Sequence, residues 1–201
     1  MNCYGIYLAA GNSRRFGSNK LLQDIGGKPM FLWGLEVMTA VLSADRVIVV
    51  TQFEQIRQQA EKMGVTVVWN PDSSRGITSS LQLGLKQARR MAEKDRQDCA
   101  WLFQTADQPG ITRESLDRLI KGFSQSGRTM ACLGWDGSWY NPCLFSDSWY
   151  PQLMALSGDK GGKQLMREHP DQVLCVEAGS LRELTDIDEK KDACAMESFM
   201  L

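Results

Sequence analysis

The sequence predicts a single α/β domain over residues 1–201, a doubly wound and mostly parallel sheet with helices on both faces. Three observations predict it. Short apolar runs rich in β-branched residues alternate with longer segments of helical periodicity. The 201 residues suffice for one ordinary core, and no repeat, low-complexity tract or linker divides them. Strands separated by helices are also what a parallel sheet needs, because each crossover must return the chain to the same end of the sheet.

Each element can be justified in turn. Tyr4 to Ala9 is a first buried strand, closing on Gly11. Pro29 to Leu42 places Met30, Leu32, Trp33, Val37, Met38 and Val41 at helical spacing. Arg46 to Thr51 is continuous and β-branched, which suits a central parallel strand. Phe53 to Met63 reads as a helix with Gly64 as its C-cap. Val65 to Trp69 is a third strand, stopped by Asn70-Pro71-Asp72.

Ile77 to Lys94 is helical, Cys99 to Gln104 a fourth strand, and Thr112 to Phe123 a helix. The charges along Ile77 to Arg96 are of mixed sign, which marks a solvated face and not a nucleic-acid patch. Thr129 to Leu133 and Pro142 to Phe145 are strands, with Gly134 to Asn141 expected as a turn or loop at a sheet edge. Short helices over Ser148 to Leu156 and Lys163 to Glu168 flank a glycine-rich loop. Gln172 to Val176 is a late strand, and a helix from about Glu189 to Met200 follows. The order is Rossmann-like, which puts ligands at the carboxyl ends of the strands.

Composition narrows the class of function. A net charge of −1 gives no bulk attraction to nucleic acid or an anionic membrane. The start lacks the basic and apolar pattern of a signal peptide, and no run approaches a transmembrane span. Six cysteines contain no C-x-x-C pair and lie mostly in apolar runs, so buried free thiols are expected. Together these predict a cytoplasmic protein.

The informative segment is Leu8-Ala9-Ala10-Gly11-Asn12-Ser13-Arg14-Arg15-Phe16-Gly17-Ser18-Asn19-Lys20. It leaves the first strand where an α/β sheet binds ligands. Ala9, Ala10 and Gly11 let backbone approach phosphate oxygens, and Arg15 and Lys20 supply cations five residues apart. It is no Walker A loop, because Lys20 does not directly follow the second glycine. It is no dinucleotide fingerprint either, because Ser13 stands where the middle glycine belongs.

The pattern L-A-A-G-x-S-x-R-x-G-x-x-K resembles the signature loop of the nucleotidyltransferases that activate molybdenum cofactor, met at Leu8, Ala9, Ala10, Gly11, Ser13, Arg15, Gly17 and Lys20. Asn70-Pro71 through Gly76 to Leu81 resembles the family's segment beside the nucleotide base and ribose. There Gly76 opens a helix whose donors, with the hydroxyls of Thr78, Ser79 and Ser80, can meet the nucleotide or simply cap the helix. Thr105-Ala106-Asp107-Gln108-Pro109 is similar to the family's G-D-x-P, which implies Asp107 as a Mg²⁺ ligand. Leu184 to Glu189 resembles the D-I-D tail. Asp186 and Asp188 would share one face, completing a metal site or a substrate wall, or Asp188 would cap the last helix. Gly158-Asp159-Lys160-Gly161-Gly162 resembles the substrate-facing G-D-x-G loop. One departure is Tyr140-Asn141-Pro142, where relatives carry G-H-P, so Asn141 must replace a histidine or the acceptor differs.

The resemblance implies transfer of CMP from CTP to the terminal phosphate of molybdopterin, with Mg²⁺, release of pyrophosphate, and transient contact with a molybdoenzyme. CTP is expected over GTP because Ala10 stands where guanylyltransferases carry glycine, and its methyl narrows the space beside the base. Guanylyl transfer, another small-molecule or sugar-phosphate acceptor, and a non-catalytic cofactor-delivery chaperone are the alternatives.

Overall fold

A computed structural model of the chain describes residues 1–11, 19–93, 99–158 and 161–200. In chain order, β1 (Asn2–Ala9) is followed by a small ribbon of β2 (Asp24–Ile25) and β3 (Lys28–Pro29), then α1 (Met30–Leu42). β4 (Val47–Thr51), α2 (Glu54–Lys62), β5 (Thr66–Trp69) and α3 (Ile77–Met91) complete the first half. β6 (Cys99–Thr105), α4 (Arg113–Ser126), β7 (Met130–Trp135) and β8 (Ser138–Ser146) follow. Then come α5 (Tyr150–Ala155), α6 (Lys163–Glu168), β9 (Val173–Glu177) and α7 (Lys190–Met200).

The main sheet has seven strands in the order β5-β4-β1-β6-β8-β7-β9. β5, β4, β1 and β6 run parallel, as do β7 and β9, and only β8 is antiparallel to its neighbours. The doubly wound, mostly parallel sheet expected from the sequence is therefore present. The chain winds outward from β1 through β4 to β5, then returns to place β6 on the other side of β1. This reversal opens a crevice at the carboxyl ends of β1 and β6.

Both faces of the sheet are covered, which explains why the strands read as continuous apolar runs. Tyr7, Val49, Leu102 and Leu133 pack under Leu35 of α1, Ile56 of α2, Leu119 of α4 and Met196 of α7. Ile6, Ile48, Trp101 and Phe145 pack under Leu85 of α3, Leu153 of α5 and Met166 of α6. α3 lies close because it carries Gly84, where a Cβ would stand 2.4 Å from Ile6 Cγ2 and 2.9 Å from Val50 Cγ2. Those methyls sit on β-branched side chains with little freedom to turn. Gly84→Ala is therefore expected to lose about 1–3 kcal/mol to overpacking, against a helix-propensity gain of about 1 kcal/mol. The net loss of about 0–2 kcal/mol should appear in a melt as a Tm lowered by up to about 8 °C; a raised Tm would mean that α3 can shift outward at no cost.

Two expectations need correction. Gly134 to Asn141 is no edge loop: it forms the ends of β7 and β8, and β8 lies inside the sheet, between β6 and β7. Only Asp136 and Gly137 turn, both at positive φ, as a tight two-residue hairpin loop requires. Asp188 does not cap α7; its side chain faces elsewhere, and the backbone N–H groups of Asp188 and Glu189 donate to Asp192. The buried thiols are found at Cys3, Cys99, Cys132 and Cys143, whereas Cys175 and Cys194 are exposed. Burial pushes the thiols of Cys3 and Cys143 up to about 12, so they stay protonated at neutral pH.

Candidate functional site

The crevice at the ends of β1 and β6 brings together several of the residues singled out by the sequence, among them Leu8, Lys20, Asp107 and Asp188. Leu8 and Thr105 are register partners on the two strands, and the N–H of Ala106 donates to the carbonyl of Leu8. Ala9 and Ala10 are buried. Their carbonyls accept from Thr51 Oγ1 at 3.0 Å and Gln52 Nε2 at 2.7 Å, which fixes the direction in which the chain leaves β1. Gly11 is exposed, with open space where a Cβ would be. Ser13, Arg15 and Gly17 lie outside the described residues, as does Asp159.

Lys20 re-enters at the far end of that loop, on a short 3-10 turn capped by Asn19, whose side chain accepts from the N–H of Leu21. Its Nζ donates to Asp107 Oδ2 at 3.0 Å and to Asp188 Oδ1 at 2.8 Å. The side chain of Lys20 is 11% exposed, that of Asp107 25% and that of Asp188 57%. Burial pulls the ammonium toward a lower pKa, but the two carboxylates outweigh it and hold Lys20 above its ordinary value.

Residues 87 and 168 positions from Lys20 thus meet on one nitrogen. Asp107 gets there because β6 ends just before it. Asp188 gets there because the N–H of Ile187 donates to the carbonyl of Asp107 at 2.9 Å while the Ile187 side chain is buried in the core. Asp186 and Asp188, on either side of Ile187, therefore turn away from the core together, as their alternation suggests. The Asp186 carboxyl is pushed up to about 6, first by the atoms that crowd it although it still reaches solvent, then by Asp107 and Asp188; Lys163 and Lys20 pull it down.

The donor set suits a hard divalent cation. Asp107 Oδ1 is buried with no hydrogen-bond partner among the described residues, a costly state for a carboxylate oxygen unless something else meets it. Among the described residues no three acidic, histidine or cysteine side chains converge as a ready cage. Mg²⁺ does not need one, since it commonly takes one or two carboxylates and completes its shell with phosphate and water.

The α3 side of the crevice is built differently from expectation. Gly76, at φ +87°, precedes the first turn of α3. Ser79 and Ser80 are not simply open to a ligand: both accept from Asn70 Nδ2, at 3.2 and 2.8 Å, and Ser79 Oγ also donates to the carbonyl of Gly76. They hold the Asn70-Pro71 turn onto α3. Thr78 alone of the three has its hydroxyl buried and unpartnered among the described residues.

Beside these residues opens a cavity of about 560 Å³ that the sequence reading did not delimit. Leu8, Leu81, Phe103, Cys143 and Phe145 make its apolar floor, and Asn141, Lys163, Gln164 and Arg167 its polar side. Asn141 accepts from Cys143 Sγ at 3.3 Å, so it is positioned from below. Lys163 is set over the cavity because Gly162 lies against Phe145, where a Cβ would come within 2.7 Å of the ring. Lys163 is half-buried with no ion-pair partner among the described residues, and its nearest aromatic is Tyr140, 5.8 Å from Nζ to ring centroid. Lys20, Asp107 and Asp188 lie next to this cavity, not within its lining. Thr105, which lines it two residues before Asp107 with a buried hydroxyl that has no partner among the described residues, joins the two parts. Lys163 and Arg167 had a signal in the sequence, since they stand at i and i+4 after a glycine pair and so share a helix face.

Residues 5–173 match the family described as MobA-like NTP transferase domain. The chain belongs to that family. Its members are nucleotidyltransferases, and the transferase chemistry expected from the loop stands with the fold. The chain is 28% identical to the purine catabolism protein PucB of Bacillus subtilis over 94% of its own length and 92% of PucB. It is 29% identical to a probable molybdenum cofactor guanylyltransferase of Thermococcus gammatolerans, with 69% of this chain and 65% of that protein covered. A nucleotidyl transferase from Methanothermobacter shares the fold, with a TM-score of 0.80 at 22% identity over 98% of this chain and 96% of that one. Among the described residues of this MobA-like chain, no helix is long and apolar enough to cross a membrane.

Proposed function

We propose that this MobA-like transferase is Mg²⁺-dependent and moves a nucleotidyl group from a nucleoside triphosphate to the terminal phosphate of a molybdopterin-type acceptor, releasing pyrophosphate. The observation that carries the reading is the meeting of Lys20, Asp107 and Asp188 at the switch point of the sheet, with Asp107 Oδ1 left unpartnered. Asp107 and Asp188 would hold Mg²⁺, which when bound supplies charge neutralisation at the phosphate oxygens. Lys20, with Arg15 of the preceding loop, would neutralise the departing pyrophosphate, and the exposed backbone at Gly11 would let the triphosphate approach closely. The acceptor ring would lie on the apolar floor, with its phosphate drawn to Lys163 and its polar edge to Asn141. Thr78 would meet the nucleotide.

A phosphate monoester has a second pKa of about 6, so it reaches the site largely dianionic and needs no general base. Its attack depends on charge neutralisation and alignment, which are the services these residues can give. The archaeal relatives are named as probable molybdenum cofactor guanylyltransferases, which supports an acceptor of this class.

Two nucleotide readings stand. Ala10 favours CTP by the size argument, and the names of the archaeal relatives favour GTP. Titration of the protein with CTP, GTP and ATP in the presence of Mg²⁺ decides between them. Tightest binding of CTP is the result expected from Ala10, tightest binding of GTP assigns guanylyl transfer, and no selective binding of any of them removes the nucleotide site itself. Pyrophosphate release on adding molybdopterin separates the enzyme from a delivery chaperone on the same fold.

A further inference from the structure

We propose that Lys20 occupies, in the nucleotide-free protein, the place between Asp107 and Asp188 that the metal takes, so that metal and nucleoside triphosphate enter together and metal alone is kept out. The inference rests on the reading of Asp107 and Asp188 as metal ligands. Its geometric basis is that one ammonium nitrogen lies 3.0 Å from Asp107 Oδ2 and 2.8 Å from Asp188 Oδ1. Two carboxylate oxygens that converge on one cation have little room for a second beside it.

Charge bookkeeping then fixes the order of events. Metal entering alone would displace Lys20 and break the bonds of an enclosed ammonium, 11% exposed, to Asp107 and Asp188; breaking such partly buried ion pairs is costly. Triphosphate drawing Lys20 away alone would leave Asp107 and Asp188 facing each other with no cation between them, which like charges resist. When both arrive, the ammonium passes from carboxylates to phosphate oxygens and the carboxylates pass to the metal, so no group is left unpaired. Each ligand removes the penalty of the other, which is positive coupling by linkage.

The test reads metal binding, not turnover. Mn²⁺ replaces Mg²⁺ as a paramagnetic probe, and free Mn²⁺ is followed by electron paramagnetic resonance in the nucleotide-free full chain. Three proteins are compared: the parent, Lys20→Met and Lys163→Met. Lys163 is the control because its charge bears on the same cluster without bonding to Asp107 or Asp188. Lys20→Met is expected to bind Mn²⁺ at least about tenfold tighter than the parent, the scale of one lost charge-assisted competitor, and Lys163→Met within about threefold of it. Lys20→Met binding no tighter than the parent overturns the proposal while leaving the metal site in place. An equal gain in Lys163→Met also overturns it, since the effect would then be one of general field. Binding of Mn²⁺ by none of the three, Lys20→Met included, removes the metal assignment together with the inference. A melt of each variant checks the fold, and Lys20→Gln replaces Lys20→Met if the latter does not fold.

Discussion

Asp107→Ala is expected to abolish nucleotidyl transfer while the protein keeps its fold. The side chain makes one described contact, to Lys20, and Lys20 retains Asp188 when it goes. The structural bond at this position is made by the Asp107 carbonyl to the N–H of Ile187, which the substitution does not touch. What disappears is an anionic oxygen without a hydrogen-bond partner among the described residues and a second that shares the Lys20 ammonium. Loss of one such electrostatic group costs on the order of 10²–10³ in rate. Loss of a metal ligand as well should carry the effect to the floor of a pyrophosphate-release assay. Tm should move by only a few degrees. Near-normal turnover with Mg²⁺ would remove Asp107 from the metal site and leave it as a turn residue.

For Lys20→Ala the expected result is a fall of about 10²–10³ in kcat with a smaller change in the dissociation constant of the nucleotide. The difference arises because charge on the leaving pyrophosphate grows as the bond breaks, so a cation aimed there contributes more in the transition state than in the bound ground state. On the proposed reading, ground-state binding would keep the base and ribose contacts near α3. The same substitution leaves Asp107 and Asp188 without their shared ammonium. Measuring kcat and binding separately is therefore essential. An unchanged kcat would mean that Lys20 serves only to close the loop onto the sheet.

Much of this was legible because the relevant signals are local. The alternation of β-branched runs and helical segments records burial on two faces, and a parallel sheet follows from it. The Leu8 to Lys20 loop carries its pattern in thirteen consecutive residues. Asp136-Gly137 is a strong hairpin pair, yet Gly134 to Asn141 reads as a loop because its aromatics obscure the period-2 pattern of β8. Ser79 and Ser80 show what a local pattern leaves out. Their hydroxyls suit a ligand by type, and in the fold they are engaged by Asn70, a residue nine and ten positions away across a turn.

What the sequence determined alone is the class of fold and the family, and it singled out Lys20, Asp107, Asp186 and Asp188 as candidates for the chemistry. What only the tertiary structure decided is their arrangement. Lys20 lies between two carboxylates instead of open to solvent, and Lys163, Gln164 and Arg167 border the apolar floor of a cavity assembled from β1, β6, β8, α3 and α6. The reason is physical: composition and periodicity record which side chains need burial, whereas an ion pair spanning 168 positions depends on where β1 and β6 end and how Ile187 anchors the tail. Distances between elements are set by core packing, and only the folded chain contains them.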